Sequence, residues 1–100
     1  MLITMAVYDT EANDRTKLTN STLASLEHRV TWNWARHRLM VSDNGSCEAT
    51  QEVLKKYSHI IDKVVHNGEN LGTAAALNKL WRHRKPGEVV CKIDNDVVVH

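Results

Sequence analysis

Val89-Val90-Cys91-Lys92-Ile93 runs directly into Asp94-Asn95-Asp96 and then into Val97-Val98-Val99. An apolar run that breaks abruptly into acids reads as a strand with carboxylates at its carboxyl end, the edge where open α/β sheets bind their ligands. Two carboxylates separated by a single residue repel each other unless a cation or polar ligand compensates them. Asp and Asn are also ordinary turn formers that bond their own backbone. The triplet alone is therefore equally an acidic turn between strands, and the rest of the chain decides between the two readings.

Working outward from the triplet, four apolar, β-branched runs occupy residues 2–8, 39–42, 63–66 and 88–93, and three stretches of helical character alternate with them. That alternation predicts βαβ units, a mainly parallel four-strand sheet and a three-layer α/β/α nucleotide-binding fold. Leu23, Leu26 and Val30 form one stripe on a first helix over about residues 15–29, with Asn13 or Asp14 as its cap. Ser46 is the expected N-cap of a second helix that buries Val53, Leu54, Tyr57 and Ile61. A third helix follows Gly72, with Ala74, Leu77, Leu80 and Trp81 as its apolar stripe, and ends before Pro86-Gly87. The spacing of Trp32 and Trp34 around Asn33 suits an extended segment, with core packing the commoner use for an indole pair.

Composition bounds the function. One hundred residues with 42% hydrophobic and 25% charged side chains make one folded domain, residues 1–100, with no linker or repeat. A net charge of +1 supplies no broad field for a nucleic acid or an acidic membrane. Cys47 and Cys91 are too few and too far apart for a zinc motif or a disulfide framework, so a reduced, cytoplasmic setting is expected. Residues 2–7 lack a basic flank and reach an acid at Asp9, which makes them a first strand rather than a signal sequence. The six histidines show no metal-binding spacing, and the basic runs at residues 36–38 and 82–85 read as solvated helix ends. The chain stops just after Val97-Val98-Val99, which reads as truncation of a longer protein.

Right-handed crossovers gather all four strand ends on one rim. That rim is expected to carry Tyr8-Asp9-Thr10, Ser42-Asp43-Asn44-Gly45-Ser46, His66-Asn67-Gly68 and Asp94-Asn95-Asp96, more polar convergence than turn chemistry requires. Asp43 suits a hydrogen bond from a base imide, and the backbone around it suits a phosphate. Gly72 permits close backbone approach, and the small residues 73–76 that follow it, with Asn78 a turn later, leave room for a ligand. Neither G-x-G-x-x-G nor a P-loop is present, which argues against nicotinamide and ATP chemistry.

Taken in order, these motifs resemble the nucleotide-sugar-binding half of a GT-A-fold glycosyltransferase of the inverting family 2. The resemblance rests on Val7-Tyr8-Asp9, Thr22-Leu23-Ala24-Ser25-Leu26, Asp43-Asn44-Gly45-Ser46, Asn70-Leu71-Gly72 through Asn78, and Asp94-Asn95-Asp96. It implies that Val7, Tyr8, Asp9, Asp43, Asn44, Gly72, Asn78, Asp94 and Asn95 bind a nucleotide-sugar, a UDP-sugar by family preference. Asp96 would bind Mn²⁺ or Mg²⁺ against the diphosphate, and the sugar would pass to an acceptor of unspecified chemistry. The carboxylate that acts as general base in the family is expected beyond this chain. An exposed sheet edge would invite pairing with a second copy.

Two other classes fit parts of the pattern. Asp94-Asn95-Asp96-Val97-Val98 resembles the nucleophile motif of haloacid-dehalogenase-like phosphatases, although that motif opens its domain and here it closes the chain. A non-catalytic nucleotide-binding or assembly module is the other.

Overall fold

The computed structural model describes residues 1–29 and 37–97. The expectations for Val30, Trp32, Asn33, Trp34, Arg36 and Val98-Val99 fall outside these residues. Seven elements follow in order: β1 (Leu2–Val7), α1 (Thr16–Arg29), β2 (Arg38–Asp43), α2 (Glu48–Lys56), β3 (Lys63–His66), α3 (Thr73–Trp81) and β4 (Val90–Ile93). The sheet has the order β3-β2-β1-β4, and every pairing is parallel.

β1 lies in the middle because its run is apolar on both faces: Leu2, Ile3, Met5 and Val7 are all buried. Ile3, Met5 and Val7 point with Leu39 and Val41 toward Leu23 and Leu26 of α1 and Leu54 and Tyr57 of α2. Leu2 and Met40 point the opposite way, toward Leu80 of α3. The strand's two-residue period thus feeds two cores and makes three layers. The expected α/β/α architecture is what the chain adopts.

The helix faces differ in detail from the sequence expectation. Ala76, Leu77 and Leu80 form the buried side of α3, while Ala74 is exposed and Trp81 is 42% exposed. Trp81 is therefore not a core residue. Its Nε1 donates to Thr4 Oγ1 at 3.1 Å, so the polar end of the indole is held to the sheet while part of the ring stays in water. The N-cap of α2 is Cys47 rather than Ser46, because the Ser46 hydroxyl accepts from the Asp9 backbone N–H instead. Asn13 Oδ1 accepts from the backbone N–H groups of Thr10 and Arg15, closing the turn ahead of α1.

At the amino edge of the sheet, Arg38 is no solvated charge. Its Nη2 donates to Glu88 Oε1 at 2.6 Å and to the His83 carbonyl at 2.9 Å, and its Nε donates to Glu88 Oε2 at 3.2 Å. The fork joins the start of β2 to the loop after α3 and to the approach to β4. Among the described residues no helix is long and apolar enough to cross a membrane.

The Arg38 guanidinium, helped by the Lys85 backbone N–H, holds the Glu88 carboxyl down at about 2. A depressed carboxyl stabilises the fold fully above its unfolded value of about 4.3 and loses that contribution as pH falls toward 2. Chemical denaturation across this window is expected to show a shallower acid loss for Glu88→Gln than for the native chain. Parallel curves for the two proteins contradict the assignment.

Candidate functional site

β1, β2 and β3 advance across the sheet in one direction, and α3 then returns the chain to the far side of β1, where β4 pairs. The strand order reverses between β1 and β4, so the loops leaving these two strands diverge and open a crevice. A cleft of about 430 Å³ lies there, walled by residues 6–8 at the end of β1, residues 92–96 at the end of β4, Arg15, and the loop residues Asn44, Asn70 and Gly72. Val7, Tyr8, Asn44, Gly72, Asp94, Asn95 and Asp96 of the expected set line it. Asp9, Asp43 and Asn78 do not.

Asp9 turns inward and has no exposure to solvent. Its Oδ2 accepts from Thr19 Oγ1 at 2.6 Å and Thr50 Oγ1 at 2.8 Å, and its Oδ1 accepts from Asn95 Nδ2 at 3.0 Å. Asn95 Nδ2 also donates to Thr19 Oγ1 at 3.0 Å. One carboxylate therefore fastens the end of β1 to α1, to α2 and to the middle of the aspartate triplet. Such a charge is tolerated in the interior because each oxygen finds a donor. The middle residue of the triplet faces in, and the acids on either side of it face the cleft.

Asp43 is 1% exposed and also supports from beneath. Oδ1 accepts from the Ser46 N–H at 2.9 Å, and Oδ2 accepts from Gln51 Nε2 and lies 3.2 Å from His66 Nδ1. Burial pushes its carboxyl up, but the hydrogen bonds from Gln51, Ser46 and His66 outweigh that and leave it below the ordinary aspartate value. Both oxygens already bond to the protein and the side chain is almost wholly buried, so Asp43 lies beneath the cleft wall rather than on it. Asn78 sits on the solvent side of α3 beyond the cleft.

The neighbouring wall is built from amides. Asn44 Nδ2 donates to the Gly72 carbonyl and to Asn70 Oδ1, each at 3.3 Å, and Asn70 Oδ1 accepts from the Gly72 N–H at 3.0 Å. Asn67 Nδ2 donates to Asn44 Oδ1 at 2.8 Å. Gly72 adopts φ +83° as it caps α3, and Gly45, at φ +80°, lies where a Cβ would come 3.1 Å from the Gly68 carbonyl oxygen. The bare backbone of Gly45 lets the two loops approach this closely, where a side chain would push against the Gly68 carbonyl and be strained at this φ.

Charge in the cleft is paired. Arg15 Nη2 lies 3.4 Å from Asp96 Oδ2 and donates to Asn95 Oδ1 at 3.0 Å. Lys92 Nζ lies 3.2 Å from Asp94 Oδ1. Arg15 and Lys92 were not singled out from the sequence. Their only signal is position, one just before a helix and the other two residues ahead of the first acid. Among the described residues no three His, Cys, Asp or Glu side chains gather to hold a metal by themselves. Asp94 and Asp96 are nevertheless half-exposed hard-oxygen donors on one wall, the set that suits a small dication completed by phosphate oxygens and water.

A family model described as glycosyl transferase family 2 matches residues 8–100. No curated protein matches the sequence significantly. Among solved structures, the mannosyltransferase PcManGT from Pyrobaculum calidifontis, in complex with GDP-Man and Mn²⁺, superposes with a TM-score of 0.78 at 21% identity over 95% of this chain and 27% of its own. S. aureus TarS 1-349 gives 0.76 at 20% identity, again over 95% and 27%. TarS 1-349 in complex with UDP-GlcNAc gives 0.76 at 19% identity, over 95% and 26%. The chain thus spans about a quarter of the length of these structures and shares their fold.

Replacing Asp9 by Ala removes the acceptor of three buried hydrogen bonds. The expected loss is about 3 kcal/mol of unfolding free energy, near 1 kcal/mol for each, measured by urea denaturation against Glu69→Ala, an exposed loop acid expected to stay within about 0.5 kcal/mol of the native chain. Equal midpoints for the two variants count against the supporting role of Asp9.

Proposed function

The chain belongs to glycosyl transferase family 2, and from that premise we propose that the cleft between the ends of β1 and β4 binds the nucleotide-sugar donor of a glycosyl transfer. The observation that carries this reading is the placement of Asp94 and Asp96 on the wall of a cleft at the switch point of the sheet, beside an amide-lined wall. In this proposal Tyr8, with its exposed ring, and Asn44 face the nucleoside, and Gly72 lets the backbone approach it. Asp9 and Asp43 hold those groups in place from below, and Asn95 lines the cleft while its amide is tied to Asp9. Asp94 lies toward the ribose or sugar, and Asp96 takes the divalent cation, Mn²⁺ or Mg²⁺.

When bound, such a cation supplies charge neutralisation for the departing nucleoside diphosphate. This chain's residues supply the rest: the amides orient the donor, and the basic groups Arg15 and Lys92 add positive charge beside its phosphates. A UDP-sugar is the donor class we favour. Asp94 and Asp96 are the acids on the cleft and both serve donor and cation, so the general base for an acceptor is assigned to residues outside it. The phosphatase reading loses its ground, since the family model that matches residues 8–100 is that of a glycosyl transferase.

Titrating UDP into the chain with and without Mn²⁺ tests the proposal. Mn²⁺ is expected to strengthen binding at least about tenfold, equivalent to 1.4 kcal/mol, and Asp96→Ala is expected to abolish the gain. Binding that is absent, or indifferent to both metal and substitution, overturns it.

A further inference from the structure

The two acids of the cleft are neutralised by two cations of this chain, and the two pairs are not alike. Lys92 and Asp94 sit on one strand end and are both well exposed. Arg15 comes from a different part of the chain, just ahead of α1, and spans Asn95 Oδ1 and Asp96 Oδ2 with a single nitrogen. Asn95 is immobilised by its own hydrogen bonds to Asp9 and Thr19, so it presents a fixed acceptor that aims the guanidinium along the cleft wall. The Arg15 backbone is tied as well, through its N–H to Asn13 Oδ1 at 3.2 Å. Its side chain remains about a third exposed.

The remaining donors of a guanidinium placed this way form a fork suited to the paired oxygens of a diphosphate. The same positive charge, 3.4 Å from Asp96 Oδ2, opposes any second cation at that carboxylate. Building on the donor-site reading, we propose that Arg15 is a donor-binding residue that exchanges partners. It neutralises Asp96 while the cleft is empty and turns to the diphosphate when a nucleotide enters together with a divalent cation. The exchange keeps the aspartate triplet compensated in both states and makes cation and nucleotide bind together more readily than a cation alone.

The consequence is a pair of effects of opposite sign, which a merely structural residue does not produce. In Arg15→Gln, Mn²⁺ alone is expected to bind about two- to fivefold more tightly, the scale of a half-exposed charge pair. UDP in the presence of saturating Mn²⁺ is expected to bind about tenfold more weakly, the scale of a lost charge-assisted hydrogen bond. Arg15→Lys retains the charge without the fork, so its Mn²⁺ affinity stays near the native value while its UDP affinity falls between the other two. Both titrations are run on the full 100-residue chain by calorimetry, with thermal melting of each variant as the check on folding. Affinities that move in the same direction, or do not move, in a folded Arg15→Gln overturn the exchange, and so does a Lys variant that behaves like the Gln one. If the native chain itself fails to bind UDP with Mn²⁺, the donor-site reading falls and takes this inference with it, an outcome distinct from native binding with an inert Arg15.

Discussion

A carboxylate without access to water ties this molecule together. Asp9 leaves the end of the central strand and accepts hydrogen bonds from Thr19 on α1, Thr50 on α2 and Asn95 in the aspartate triplet. Its backbone takes part as well, the N–H donating to Ser46 Oγ and the carbonyl accepting from the Cys47 N–H at 2.7 Å. Burying a charge is costly unless every lone pair is met, so the chain bears that cost only where four segments meet correctly. The Thr19 hydroxyl on the buried face of α1 follows from this. Thr19 is a buried polar residue on a helix that a purely apolar stripe would have served for packing alone.

The cleft inherits its shape from that junction and its position from topology. Two right-handed crossovers lay α1 and α2 on one face, and the third, running back across the sheet, lays α3 on the other. The loops after β1 and β4 must then part. Because Asn95 is pulled inward, the residues on either side of it turn outward, and Asp94 and Asp96 reach the same open space as Tyr8 and the Asn44–Gly72 wall. Arg15 and Lys92 stand beside them as counter-charges. The site thus combines exposed groups such as Tyr8, Asp94 and Asp96 with buried ones that fix the wall around them.

Much of this was legible in the residues. The runs at 2–8, 39–42, 63–66 and 88–93 became strands with shifts of one or two residues at their ends, and Leu23, Leu26, Leu54, Tyr57 and Leu80 pack where their spacing placed them. The cleft was legible as a rim of polar strand ends. Less legible was the direction in which each polar side chain points. Asp9 and Asp43 stand two residues past β1 and at the last residue of β2, at places where an acid serves a ligand or the interior equally well, and the choice depends on donors such as Thr50 and Gln51 that the chain delivers from other elements. Trp81 fell to the exposed side because the close face of α3 is taken by the small Ala76 together with Leu77 and Leu80, leaving the indole at the margin of the contact.

The sequence by itself determined the layered α/β architecture and the order of the polar loops, because period-two and period-3.6 patterns and turn residues are local properties of the chain. Tertiary structure decided which acids face a ligand and which hold the scaffold, and it alone brought Arg15 to Asn95, 80 positions away in sequence, and to the neighbouring Asp96. Hydrogen-bond partnership and ion pairing depend on distances between segments remote in the chain, and those distances exist only once the sheet has set them.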